Sequence, residues 1–153
     1  MNRESSSGGP SRQRYDNSVP SRWAAYGRMM ATINLTADDF EKTVLESDIV
    51  LVDFWAEWCG PCKQFGPVYE EASNQNPDIT FGKIDTEAEQ SLASAAGITS
   101  IPTLMAFREG VLVFAQPGAL PAPMLGKVIG AVRDLDMATV RKDIEAQRAT
   151  TVE

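Results

Sequence analysis

A chain of 153 residues with 43% hydrophobic content is long enough for one ordinary domain and a pair of tails, and too short for two domains. Its formal charge of −7 argues against a general nucleic-acid binder, and two cysteines with no histidine leave neither a four-ligand structural zinc site nor a Ser-His or Cys-His nucleophile pair. Two cysteines are too few for a disulfide-stapled secreted scaffold, and with no apolar run of ~18–20 residues and no N-terminal apolar h-region the chain is expected off the membrane, in a reducing cytoplasm.

Residues 1–29 are rich in Ser, Gly, Pro and Arg without periodicity and are expected to be a disordered extension. Arg3, Arg12, Arg14, Arg22 and Arg28 face only Glu4 and Asp16 there, a net +3 that leaves −10 on the rest of the chain. A native tail, a remnant of expression, a transit peptide and an over-extended start are competing accounts. Met29 and Met30, standing where ordered sequence begins, favour the last; Gly8-Gly9-Pro10 and Pro20 spoil the amphipathic helix a transit peptide needs.

Ile33-Asn34-Leu35 is a short strand, and Thr36 caps a helix running through Phe40, Val44 and Leu45 with acids in its first turns. Ile49 to Trp55 is an apolar run with one acid, Asp53, and fits a central strand covered on both faces. A helix follows the cysteines to about Asn74, with a kink expected at Pro67. Ile79–Ile84 is a third strand, and Glu87–Ala96 a short helix ended by Gly97. Thr103–Phe107 and Val111–Gln116 form a hairpin joined at Glu109-Gly110. After Pro121 and Pro123, the residues Met124, Leu125, Val128, Ile129, Val132 and Leu135 recur at helical spacing as a last core helix, Met124 included. The order βαβαβαββα predicts an α/β fold, a central mixed β-sheet flanked by helices on both faces. The domain is expected over residues 30–136. Residues 137–153 form a tail in which Val140 and Ile144 suggest a short, mostly polar helix.

Cys59-Gly60-Pro61-Cys62 sits at the strand-to-helix turn. Two thiols at this spacing can close a small disulfide loop, and a helix N-terminus favours a thiolate at the first of them. Pro61 suits the first helical turn, where its missing N–H costs little. One cysteine can then attack a substrate disulfide and the other resolve the mixed disulfide. Half of a zinc ribbon, or two unrelated core cysteines, is the bland alternative; no second cysteine pair and no histidine support it.

The segment Val52 to Lys63, reading VDFWAEWCGPCK, resembles the active-site segment of the thioredoxin family. Ile101-Pro102-Thr103, Phe107 with Glu109-Gly110, and Gly118-Ala119-Leu120 match that family in order and approximate spacing, so the resemblance covers about residues 31–135. It implies the thioredoxin fold and a protein-disulfide reductase with a redox-active Cys59–Cys62 disulfide, no cofactor and no metal. The implied roles are an exposed nucleophile at Cys59, a buried resolving thiol at Cys62, and a buried Asp53 that exchanges the Cys62 proton through water. Lys83 resembles the family lysine that pairs with that aspartate. Pro102 is expected in the cis form, with the Ile101 backbone free to pair with an extended substrate. Trp58, Gly60, Pro61, Ile101, Pro102 and Gly118 are the expected substrate-binding residues. Trp55 could be core or a shield over the disulfide. The implied partners are disulfide-containing clients and an NADPH-dependent thioredoxin reductase, met by a monomer that binds neither nucleic acid nor membrane.

Ser100, where the family commonly has glycine, and Gln116-Pro117, in place of an aliphatic residue before Gly118, are departures beside the expected docking face. A non-catalytic binding module would need that face and not the thiols, whereas Cys59, Cys62, Asp53 and Pro102 are all intact. An oxidant or isomerase of the same fold usually carries a histidine between its cysteines; Gly60-Pro61 points to the reducing end.

Overall fold

The computed structural model describes residues 31–151, so the expectations for residues 1–29 lie outside the described part. In chain order the elements are β1 (Ile33–Asn34), α1 (Ala37–Glu46), β2 (Ile49–Trp55), α2 (Gly60–Gln75), β3 (Thr80–Asp85), α3 (Gln90–Ala95), β4 (Thr103–Arg108), β5 (Val111–Pro117), α4 (Ala122–Asp134) and α5 (Met137–Thr151). The five strands form one sheet in the order β1-β3-β2-β4-β5. β2 is parallel to β3 and antiparallel to β4, and β4 turns back into β5.

Strand periodicity sorts β2 onto two apolar layers. Ile49 and Leu51 join Phe65 and Tyr69 of α2 and Leu125, Ile129 and Val132 of α4 on one face. Val50, Val52 and Phe54 join Leu35, Ile84 and Met105 on the other, covered by Phe40 of α1 and Leu92 of α3. Each such aliphatic or aromatic side chain contributes about 1.5–3 kcal/mol on burial, and the central run supplies both layers. Asp53 falls in phase with Ile49 and Leu51, on the face that α2 covers.

Just past β1, Leu35 packs over Gly82 of β3, and a Cβ there would force the Leu35 side chain to shift. On the other side of the sheet's centre Arg108, the last residue of β4, donates from one guanidinium nitrogen to the carbonyls of Val132, Arg133 and Leu135 at 2.7–2.9 Å. It thereby satisfies the carbonyls that the end of α4 leaves open.

Several expectations shift. β3 runs one residue later than Ile79–Ile84. α3 begins at Gln90 rather than Glu87, because the Asp85 carboxylate accepts from the N–H groups of Glu87 and Ala88 and holds them in a turn. Met124 is 47% exposed and belongs to the surface, since Leu125, Ile129 and Val132 already fill the inner stripe of α4. α1 runs through Phe40, Val44 and Leu45 as expected, with Val44 buried and Leu45 64% exposed. The C-terminal helix is not short: α5 has 15 residues, anchored by buried Met137 and by an Arg141–Glu109 ion pair. Among the described residues no helix is long and apolar enough to cross a membrane.

Candidate active site

β2 ends at Trp55, and after three intervening residues the chain enters α2 with Cys59 as its N-cap, in extended conformation at φ −85° and ψ 112°. Pro61 stands in the first helical turn, where its missing N–H leaves no helical bond unmade. The sulfur of Cys59 takes the role a serine or aspartate oxygen plays at other N-caps, accepting from the Cys62 N–H at 3.2 Å. Cys59 and Cys62 are joined by a disulfide with Cα atoms 5.3 Å apart, well inside the range a disulfide bridges without backbone movement. Ala56 and the two cysteines form a small buried cluster against which half-buried Trp55 and Ile101 pack, so Trp55 flanks the disulfide.

Exposure does not separate the two cysteine residues. Cys59 is 4% and Cys62 5% accessible in this disulfide form, so the expected contrast of an exposed first and a buried second cysteine is absent. What separates them is their neighbours. Cys59 Sγ lies 3.7 Å from the Ile101 carbonyl and receives the helix N–H. Cys62 instead lines a cleft of about 280 Å³ with Trp55, Glu57, Lys63, Gly66 and Lys83.

Asp53 is 1% exposed, and neither carboxylate oxygen has a hydrogen-bond partner. Burial raises its carboxyl to about 7, the larger effect, with the Lys83 charge pulling the other way. The two residues are Cα partners in the β2–β3 register. They make no ion pair, contrary to the pairing expected from the resemblance: the Lys83 ammonium lies over the Trp55 ring, 4.9 Å from its centroid. The ring face attracts the cation and leaves it open to the cleft. Tyr69 of α2 closes the apolar side of Asp53. Its hydroxyl donates to the Gly82 carbonyl at 2.8 Å and is held neutral, first by burial and then by Asp53.

Of the expected docking residues, Trp58 is 69% exposed, Gly60, Pro61 and Gly118 are exposed, and Ile101 is half-buried. The Ile101–Pro102 peptide is cis, and Pro102 itself is buried, so it bounds this face from beneath rather than lining it. The Gly118 N–H donates to the Pro102 carbonyl at 2.7 Å and joins the two loops. Gly118 does so at φ 103°, a conformation a side chain would strain. Two participants escaped the sequence reading. Glu87 accepts from the Trp58 indole N–H, and a groove bounded by Trp58, Gln90, Ser94, Ile98, Ser100 and Ile101 runs beside it. No motif marks Glu87, because it reaches Trp58 only through the turn that Asp85 builds.

Comparison with known proteins agrees with this geometry. A family model described as Thioredoxin matches residues 31–131. A Streptomyces coelicolor protein bearing a thioredoxin name is 61% identical over 121 residues, covering 79% of this chain and 90% of the relative. Thioredoxin 1 of Synechococcus elongatus is 44% identical over 103 residues, covering 66% of this chain and 96% of the relative. Among solved structures, a mutant thioredoxin from Halobacterium salinarum superposes with a TM-score of 0.64 at 33% identity, covering 68% of this chain and 92% of that one. The thioredoxin of Plasmodium falciparum gives a TM-score of 0.61 at 33% identity, covering 65% of this chain and 97% of that one.

Proposed function

This chain belongs to the thioredoxin family and is an oxidoreductase acting by dithiol–disulfide exchange, and we propose that Cys59 is its attacking thiolate and Cys62 its resolving thiol. One observation carries the assignment: the Cys62 N–H, at the head of a 16-residue helix, points at Cys59 Sγ and not at the other sulfur. In the reduced protein Cys59 thiolate attacks one sulfur of a client disulfide, forms a mixed disulfide and expels the other client sulfur as a thiolate. Cys62, having passed its proton toward Asp53, then attacks Cys59 Sγ. The mixed disulfide breaks, the second client thiolate leaves, and the Cys59–Cys62 disulfide remains with two electrons transferred to the client.

Asp53 suits the proton step because a base is most effective when its pKa lies near the working pH, and burial sets this one at about 7. Trp58, Gly60, Pro61, Ile101 and Gly118 form the face on which an extended client segment docks, Pro102 supporting it from beneath, and the Ile101 backbone offers strand-type pairing beside Cys59. Disulfide-bearing proteins are the clients, and a reductase recycles the pair. We assign that reductase to the NADPH-dependent flavoprotein class, the working unit to a monomer built on residues 30–136, and the location to the cytoplasm.

Insulin reduction tests the whole reading. With NADPH and a bacterial thioredoxin reductase, the protein should consume about one NADPH per insulin disulfide cleaved, and Cys59→Ser should consume none. A protein that turns over only with added dithiothreitol would refute the reductase assignment. One that accelerates insulin reduction without its cysteines would refute the redox role.

A further inference from the structure

Lys83 sits level with Asp53 on the adjacent strand, and in a parallel register such partners emerge on the same face. A cation beside a buried carboxyl with two unpartnered oxygens would ordinarily close into an ion pair, yet none forms. Trp55 is two residues beyond Asp53 on β2 and therefore on the same face, and its ring receives the ammonium at 4.9 Å.

We propose that Trp55 is a positioning residue that holds the Lys83 ammonium in the cleft beside Cys62 and off the Asp53 carboxyl. The proposal rests on the reading of Asp53 as proton acceptor for its purpose, though not for its geometry. An ammonium within about 4–6 Å of a carboxylate lowers its pKa by one to three pH units. An Asp53 paired in that way would be ionised at neutral pH, yet too weak a base to draw a proton from a thiol. Held on Trp55, Lys83 closes no ion pair with Asp53, and its charge lowers the carboxyl by less than burial raises it.

Few other groups compete. β4 presents Leu104 opposite Asp53. α2 presents Tyr69, with its hydroxyl engaged at the Gly82 carbonyl, and Cys62. α4 turns Leu125, Ile129 and Val132 inward. Glu57 and Lys63 also line the cleft, and neither hydrogen-bonds nor ion-pairs with Asp53. Burial sets the direction of the Asp53 shift, Lys83 is the cation that opposes it, and Trp55 holds that cation.

The test is the Asp53 titration, followed by the carboxyl carbon shift in carbon-13-labelled reduced protein, in wild type, Trp55→Phe, Trp55→Leu, Lys83→Met and the Trp55→Leu/Lys83→Met double variant. Trp55→Leu should lower the Asp53 midpoint by about one pH unit, and Trp55→Phe, which retains a ring and guards against loss of the fold, by less in the same direction. Without the ammonium, loss of Trp55 should no longer lower the midpoint. An equal drop in the Lys83→Met background would mean that losing Trp55 merely admits water, and would overturn the proposal; so would an unmoved midpoint in both Trp55 variants. The rate of the Cys62 step against pH separates the two readings. A midpoint that moves while that rate profile stays put upholds the positioning by Trp55 and removes Asp53 from the proton step.

Discussion

The backbone N–H of Cys62 donates to Cys59 Sγ at 3.2 Å, and no helix N–H is directed at Cys62 Sγ. When the disulfide opens, the first sulfur keeps a donor and the positive end of α2, while the second faces the cleft shared with Lys83 and Trp55. The reduced protein should therefore hold Cys59 as a thiolate at least one pH unit below the ordinary thiol value of about 8.5. Thiolate absorbance near 240 nm in Cys62→Ser, followed against pH, measures this; a midpoint at or above that value would contradict the helix-end account.

Asp53 makes stability depend on pH with a definite sign. Its carboxyl titrates at 3.8 when unperturbed and at about 7 in the folded protein. Between those values the folded state holds a proton that the unfolded chain has lost, so stability falls as pH rises from about 4 to about 7 and levels off above. Asp53→Asn removes the dependence. Its gain over wild type, from urea unfolding, should be larger at pH 8 than at pH 5 by roughly 2–3 kcal/mol, less if water relaxes into the site. Equal gains at the two pH values would show that the carboxyl is not neutralised on folding.

Trp58 is the largest exposed apolar side chain beside the disulfide, fixed by its bond to Glu87. Trp58→Ala should leave the fold within about 1 kcal/mol of wild type, as surface substitutions do, and weaken the docking of protein disulfides. The expected outcome is a KM for insulin several-fold higher with an unchanged rate toward a small aromatic disulfide. An equal loss on both substrates would place Trp58 in the chemistry and not in docking.

How much of this was legible beforehand follows from how local each signal is. The cap at Thr36, the buried run Ile49–Trp55, the hairpin at Glu109-Gly110 and the Cys59–Cys62 turn are written in adjacent residues, and all stand where the sequence placed them. Met124 failed because an amphipathic stripe shows which residues are apolar and not how wide the buried face is. The start of α3 failed because Asp85 competes for two backbone N–H groups, and that depends on one side-chain rotamer. Asp53 and Lys83 are register partners and interact by charge, but direct ion-pair contact is missing for a tertiary reason: a third residue, Trp55, lies on the same face and takes the cation.

Arg108 offers a test of the fold that leaves the site alone. Its guanidinium serves three carbonyls at the end of α4, the kind of charge-assisted bonding worth about 1.5–3 kcal/mol. Arg108→Met should lower unfolding free energy by about 2 kcal/mol with insulin reduction intact at temperatures where the variant is folded. Undiminished stability would mean that water replaces the arginine at no cost.

The account turns on which sulfur makes the covalent bond to the client. Mixed with an oxidised protein substrate, Cys62→Ser should stall as a covalent complex through Cys59 that dithiothreitol releases, and Cys59→Ser should form none. Peptide mapping of each mixture by mass spectrometry reads this directly. An adduct through Cys62, or two variants that both remain catalytic, would contradict the assignment of the attacking thiolate to the head of α2.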